Sequence, residues 1–532
     1  MKTTGMKRLI LALLAGILCP CYALCDTKIE AESAAYVNCK LISDSKYSGG
    51  KALELTENNA MITFTHQAAE RGKCDVYVGY DGLYGNKKVN LSVNGNSVTF
   101  DVNGRAESMV GTFFMEAGSN SIVITPNWTW FRIDYIRIAT SSSIIQFDIA
   151  KTPVDANATD AAKTMYRFLY DNFGKKVISG IMTGDMGSAN GNVTQHLDVQ
   201  AVYKASSKYP ALIGFDFMNA TGKDASLSYN KSYTTSSIAL AKDTYRRGGL
   251  PNFTWHWRDP SRSTDAFYTA DCSMKISDAM NADGSWNTSS QLYKYLIQDI
   301  HTVADYFLSL QKEGMAVTFR PLHEASGGWF WWGREGARPF IKLFRLIYDE
   351  MVNVKGVHNV IWIWNAGEND ADWDPGDAYY DVVSADIYNS DFDYSSNYAS
   401  FDKLKSLTKG KKIIALSENG PIPDIDKMVD EEAVWSWWMP WYQTWNGRFV
   451  DKTSKEEWTK CMNDDRVITL EDLAAGWGAY SGIQSAETAE GEGTAIYDLQ
   501  GRRLTGMPAR GLYISDGKIY SAGMKRITGT GF

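Results

Sequence analysis

A chain of 532 residues is too long for one ordinary hydrophobic core, so two or three folded units are expected. Its 44% hydrophobic and 22% charged residues are those of a soluble globular protein, and a net charge of −8 without a basic stripe excludes a phosphate-tracking, nucleic-acid-binding role. The 18 Trp and 29 Tyr are the exception, because many Trp stand in tight groups beside Gly and polar residues.

Residues 1–25 read as an export signal: Lys7 and Arg8 precede the apolar run Leu9 to Leu18, and Ala23 lies near a plausible cut. That run is too short to span a bilayer, and no later stretch approaches 18 apolar residues, so no membrane span is expected. Cys19, Cys21 and Cys25 at the signal's end leave a lipid anchor open as an alternative to release. Cys39, Cys74, Cys272 and Cys461 lack zinc-site spacing and allow one disulfide without demanding it.

Residues 27–140 read as an all-β sandwich. The clearest piece is Val89 to Phe100, two alternating runs around Asn94-Gly95, a pair that favours a tight hairpin turn. Strands at Ser121 to Thr125 and Phe131 to Ile138 follow, then a polar linker from Thr140 to Ser143. From 145 to 480 strand-like runs alternate with amphipathic helices. The runs are Val177-Ile178, Ala211 to Phe217, Leu250 to Trp255, Ala316 to Phe319, Val360 to Trp364, Val382 to Ile387, Ile413 to Leu416 and Val434 to Met439. Helices are expected over Thr159 to Phe173, Gln291 to Gln311 and Pro339 to Val354, each followed by a Gly. Eight strands in this length make an α/β fold, a (β/α)₈ TIM barrel, the economical architecture. Residues 485–532 open with a linker composition and carry two short β patterns, Ala495 to Arg503 and Gly511 to Lys518, an appendage too small for its own large core.

In such a barrel catalytic groups sit at the C-terminal ends of strands. The fourth run leads into Arg320-Pro321-Leu322-His323-Glu324 and then Gly327-Gly328-Trp329-Phe330-Trp331-Trp332. The seventh ends in Ser417-Glu418-Asn419. Opposed strand ends bring two carboxylates across the mouth, the arrangement glycosidic cleavage needs: one carboxylic acid protonates the leaving oxygen while a carboxylate attacks the anomeric carbon. Arg320 and His323 are suited to hold and polarise that pair. His256 after the third strand, Tyr388 after the sixth and Trp441 after the eighth are further candidates, since flat rings stack on pyranose C–H faces while polar groups read hydroxyls. Of Trp435, Trp437 and Trp438, at least two are expected to be packing, and His196, His301 and His358 structural or solvent-facing. Asp370, Asp372, Asp374 and Asp377 are expected to be a solvated loop, with no cofactor for catalysis.

These residues resemble the signature of glycoside hydrolase family 26, mostly endo-β-1,4-mannanases, through Arg320 to Glu324, Trp329 to Gly333, Ile178 to Gly184, Trp255-His256-Trp257, Asp386-Ile387-Tyr388 and Leu416-Ser417-Glu418. The resemblance spans about residues 150–480. It implies Glu324 as acid/base, Glu418 as nucleophile and retention of configuration. It also implies His323 beside the acid, His256 at the cleaved sugar, Tyr388 near the nucleophile and Trp329 in the binding wall. Arg320, Trp332 and Trp441 are separately expected among the substrate contacts. Tyr442 departs from the pattern, standing where several family mannanases have Arg. The N-terminal unit is similar to carbohydrate-binding module family 35 through Lys28 to Glu32 and Ile133 to Ile136. That likeness implies a structural calcium held by Glu30, Glu32 and Asp134, and a glycan site near Asn127, Trp128 and Trp130. The tail resembles a type IX secretion sorting segment. A secreted or cell-surface monomer acting on plant β-mannan is the expectation. A mixed-linkage glucanase or β-1,3-xylanase on the same barrel, and a glycan-binding protein that no longer cuts, are the alternatives.

Overall fold

The computed structural model describes residues 27–141, 145–367, 370–445 and 447–473, together with four short strands further on. The export-signal and lipid-anchor expectations fall on residues 1–26, outside the described residues. The chain forms two compact units that divide at Ile144 and Ile145.

The first unit is two antiparallel sheets. One orders Cys39–Ser43, Lys51–Leu55, Phe131–Thr140, Gly72–Asp81 and Arg105–Met115, with Thr27–Glu30 paired to Phe131–Thr140. The other orders Ala35–Val37, Met61–Ala68, Gly118–Pro126, Lys87–Val93 and Asn96–Val102. Asn94 (φ 50) and Gly95 (φ 95) make the tight turn of the expected hairpin, with Val93 facing Asn96. The period-two alternation buries Val89, Leu91, Val93, Val98, Phe100 and Val102, each contributing roughly 1.5–3 kcal/mol by leaving water.

The second unit holds seven consecutive parallel strands, each bonded to the next: Gly180–Met182, Leu212–Asp216, Leu250–Trp255, Val317–Pro321, Val360–Asn365, Val382–Ile387 and Ile413–Asn419. All but the end of the sixth are buried throughout, as strands covered on both faces must be. Two of the expected strands differ in detail. Val177–Ile178 pairs with Val467–Ile468, and the strand that joins the seven-stranded sheet begins after Ser179. Residues 434–440 form the eighth stave through isolated bridges instead of a regular strand. Ser436 and Leu416 bond it to the seventh stave, and Trp438 and Met182 bond it to the first side. Trp435, Trp437 and Trp438 are all fully buried there.

The helices follow their sequence signals. Thr159 caps Asp160–Asn172 by accepting from the Ala162 N–H, and Ser290 caps Gln291–Lys312 by accepting from the Tyr293 N–H. Gly174, Gly314 and Gly356 follow in left-handed backbone. The helix expected from Pro339 starts at Ala337, with Pro339 in its first turn, and ends in a π-turn over Asp349–Val354. Short antiparallel strands Ile496–Tyr497, Arg503–Leu504, Gly511–Ser515 and Lys518–Ala522 lie in the tail. Among the described residues no helix is long and apolar enough to cross a membrane.

Candidate active site

The fourth barrel strand delivers Arg320, and the chain then turns sharply. Leu322 (φ 53) and Glu324 (φ 51) both adopt left-handed backbone, a conformation costing on the order of 1–3 kcal/mol for a residue with a side chain. Two bonds hold that turn: the Glu324 N–H donates to Asn365 Oδ1 at 2.7 Å, and Trp332 Nε1–H donates to the His323 carbonyl at 2.8 Å. Strain at such a point is tolerated where it aims a functional group, and here it aims the Glu324 carboxyl over the barrel mouth.

Glu418 faces it from the end of the seventh strand, and Asp386 from the sixth. One carboxylate oxygen from each of Glu324, Asp386 and Glu418 lies within 4.8 Å of the others. A single fully buried guanidinium holds two of the three. Arg320 Nη1 donates to Asp386 Oδ2 at 2.6 Å, and Nη2 donates to Glu418 Oε1. The other Glu418 oxygen accepts from the Tyr388 hydroxyl at 2.5 Å. Asn365 bonds the free Asp386 oxygen at 2.9 Å. Among the described residues Glu324 has no ion-pair partner, and its carboxyl accepts the Trp329 indole N–H at 2.9 Å. Burial, then the Glu418 charge, pushes its carboxyl up to about 7. One carboxyl is thus kept as an acid near neutrality while the other is clamped by Arg and Tyr, the separation of environments that acid/base pairs require.

The histidines form a chain beside the pair. His256 Nδ1 donates to Asp216 Oδ2 at 2.5 Å, and its Nε2 lies 3.1 Å from His323 Nε2. Burial lowers the affinity of His256 for a proton, but the Asp216 carboxylate overcomes it and the net shift is upward. His323 is held well below its ordinary value by burial, then by the charges of His256 and Arg320. The two rings thus differ in opposite directions, His256 favouring a proton and His323 disfavouring one. His301 and His358 pair with Glu350 and Asp155, and His196 is buried beside Asp198.

The aromatic run after Glu324 divides. Trp329 is 48% exposed and its ring lies over Gly327, where an added Cβ would fall 2.1 Å from the indole. Trp331 and Trp332 are fully buried, their indole N–H groups spent on the carbonyls of Trp257 and His323. Trp332, expected among the substrate contacts, has no exposed surface and backs His323. Arg320 and His323 are likewise buried, Arg320 against Asp386 and Glu418 and His323 against His256. Trp441 is half-buried with its ring 5.8 Å from His256, and Tyr388 is exposed. Asp216, Asn365 and Asp386 complete the site without having been singled out from sequence; Asp386 lay inside a quoted motif, beside Tyr388. Trp128, Glu30, Glu32 and Asp134 belong to the first unit.

Comparison with known proteins places both units in known families. The family model for Glycosyl hydrolase family 26 matches residues 154–471, and that for Carbohydrate binding module (family 35) matches residues 27–141. "Mannan endo-1,4-beta-mannosidase B" of Piromyces sp. is 34% identical over 397 residues, which cover 73% of this chain and 66%, just under two thirds, of that relative. The crystal structure of a Podospora anserina GH26-CBM35 beta-(1,4)-mannanase superposes with a TM-score of 0.56 at 28% identity, over 85% of this chain and 99% of that one. A beta-mannanase from a symbiotic protist of the termite Reticulitermes speratus, complexed with gluco-manno-oligosaccharide, superposes with a TM-score of 0.57 at 36% identity, over 62% and 99%. On the strength of a family match over more than half of its residues, the chain belongs to glycosyl hydrolase family 26.

Proposed function

We propose that the protein is a retaining endo-β-1,4-mannanase that hydrolyses mannan, glucomannan or galactomannan by double displacement. The observation that carries this is the Glu324–Glu418 approach within 4.8 Å, which fits the short separation of retaining enzymes and leaves no room for the intervening water of an inverting one. Glu418 Oε attacks the anomeric carbon as Glu324 gives its proton to the departing glycosidic oxygen, so the C–O bond breaks and a glycosyl ester forms. Glu324, now ionised, takes a proton from water; the water oxygen attacks the same carbon and the ester bond returns its electron pair to Glu418. Tyr388 and Arg320 hold the nucleophile's two oxygens, and Trp329 orients the acid on the leaving-group side. His256 and Trp441 flank the sugar being cleaved. Support for mannan comes from the named activities of the relatives and from the matching family.

A reducing-sugar assay on glucomannan, galactomannan, lichenan and β-1,3-xylan tests it. Turnover on the two mannans is expected; activity confined to lichenan and β-1,3-xylan would remove mannan from the claim, and none on any would favour a binding protein.

The first unit is proposed to bind glycan through exposed Trp128 and Trp130, with Tyr84 set edge-on to Trp130 at 6.4 Å. Its residues also fit a structural calcium. Among the described residues Glu30 Oε2 and Glu32 Oε2 are buried without a hydrogen-bond partner, and a Cβ at Gly49 would stand 2.7 Å from Glu32 Oε1. Asp134 accepts the Ser48 N–H at 2.9 Å, and burial raises its carboxyl. Hard oxygen donors gathered from both ends of the unit suit Ca²⁺. EDTA is expected to lower the melting temperature of this unit, by about 4–8 °C for each kcal/mol of lost ion binding, with calcium restoring it. The Glu32→Gln variant should lose that response; a melt indifferent to both reagents would exclude the ion. Export through the signal, and sorting through the tail, complete the proposal of a secreted or cell-surface enzyme.

A further inference from the structure

An aromatic ledge leaves the catalytic centre on the loop after the eighth stave. From Trp441 beside His256 it passes to Tyr442, ring centres 5.1 Å apart, and on to Trp445, 5.5 Å further and nearly perpendicular. Trp445 is 46% exposed, with one side supported by the buried ring of Tyr233 in a stacked contact at 6.2 Å. Its backbone is left-handed (φ 52), which a tryptophan adopts only where its surroundings impose it.

Those surroundings are rigid. Asp198, fully buried, accepts the N–H groups of Gln443 at 2.7 Å and Thr444 at 2.8 Å on one oxygen. Its other oxygen accepts the Gly184 N–H at 2.7 Å and the Thr444 hydroxyl at 3.2 Å. Gln443 in turn accepts the Val450 N–H at 2.9 Å. Gly184 is required at that spot, since a Cβ would fall 2.5 Å from Thr444 Oγ1 and 3.3 Å from the Trp445 ring. A large indole left facing solvent on a loop fixed by a buried carboxylate is poorly explained by packing. A preorganised surface loses no freedom when a ligand lies on it, which is what a sugar platform needs.

We propose that Trp445, with Tyr442, forms a distal subsite that stacks a sugar ring on the glycone side and sets a preference for longer chains. This rests on the mannanase reading above. The direction follows from Trp329, whose bond to the acid Glu324 places it with the leaving group, whereas the ledge departs from His256.

Kinetics of the full chain on mannotetraose and mannohexaose test it. Trp445→Ala is expected to lower kcat/KM about tenfold on the hexaose, to change the tetraose less than about twofold, and to shift the bond cleaved. Trp445→Phe should keep most of the hexaose rate. Trp445→Leu, which still covers Tyr233 but offers no ring, should behave as Trp445→Ala and serves if that variant folds poorly. Equal losses at both lengths, or none at either, would overturn the subsite. Should the wild type cleave only another β-glycan series, the mannan reading fails, and the same length comparison on that series decides Trp445 separately.

Discussion

Glu418→Gln is expected to lower kcat on mannan by about 10⁴-fold or more, the scale on which hydrolases lose rate when a nucleophile is removed. Glu324→Gln should cost about 10²–10⁴-fold, as loss of a general acid does. The two losses differ in kind. An aryl glycoside with a good leaving group needs little protonation, so Glu324→Gln should give a burst of phenol and then stall as the ester, whereas Glu418→Gln should give no burst. Azide should rescue the first variant as a β-configured glycosyl azide. A wild-type rate in either variant, or an α-azide, would remove the assigned roles. The pH dependence follows from the same pair. Glu324 must be protonated to act, so kcat/KM is expected to fall about tenfold per unit once pH rises past about 7. The stability effect has a definite sign. A carboxyl raised from 4.5 to about 7 contributes stability that is complete below 4.5 and is lost as pH climbs through about 7. Glu324→Gln should therefore melt higher than the wild type at pH 8, by up to about 3 kcal/mol, and much like it at pH 4. An unchanged difference between those two pH values would mean that Glu324 ionises freely.

How far such a site can be read in advance depends on whether its parts are local. Glu324 and Glu418 stand at the ends of apolar runs, and the barrel's strand count places both at one mouth, so periodicity alone reaches them. The Asn94-Gly95 hairpin and the Thr159 and Ser290 caps are equally local. Asp216, Asn365 and Asp386 are not. Their partners His256, Glu324 and Arg320 lie 40 or more residues away in sequence, and no spacing rule joins them. The run Trp329-Phe330-Trp331-Trp332 shows another limit. Which indole faces outward depends on the partner each N–H finds: a carboxylate at the mouth for Trp329, interior carbonyls for Trp331 and Trp332. Binary patterning does not carry that information. The eighth stave is visible as an apolar run, but its isolated bridges, on one side to residues more than 200 positions earlier, follow no local pattern.

Arg320→Met is the variant expected to damage the fold most among those at the mouth. The guanidinium is fully buried and supplies the cation nearest to Asp386 and Glu418, with Glu324 close by. Removing one partner from a buried charge cluster leaves the others uncompensated and costs roughly 3–5 kcal/mol, which is read as a shift of the urea midpoint. Glu418 would also lose the guanidinium that holds one of its two oxygens, so kcat falls as the nucleophile loses its orientation. Arg320→Lys should not rescue it, since one ammonium cannot present two nitrogens in the fixed fork that spans Asp386 and Glu418. The informative companion is Arg320→Met with Asp386→Asn. It removes one unpaired charge, so stability should recover by more than half, while activity stays low because Glu418 still lacks its cation. Recovery of both would show that Asp386, not Glu418, is what Arg320 serves. Recovery of neither would show that Arg320 acts by filling space, and the charge arrangement proposed for the nucleophile would lose its main support.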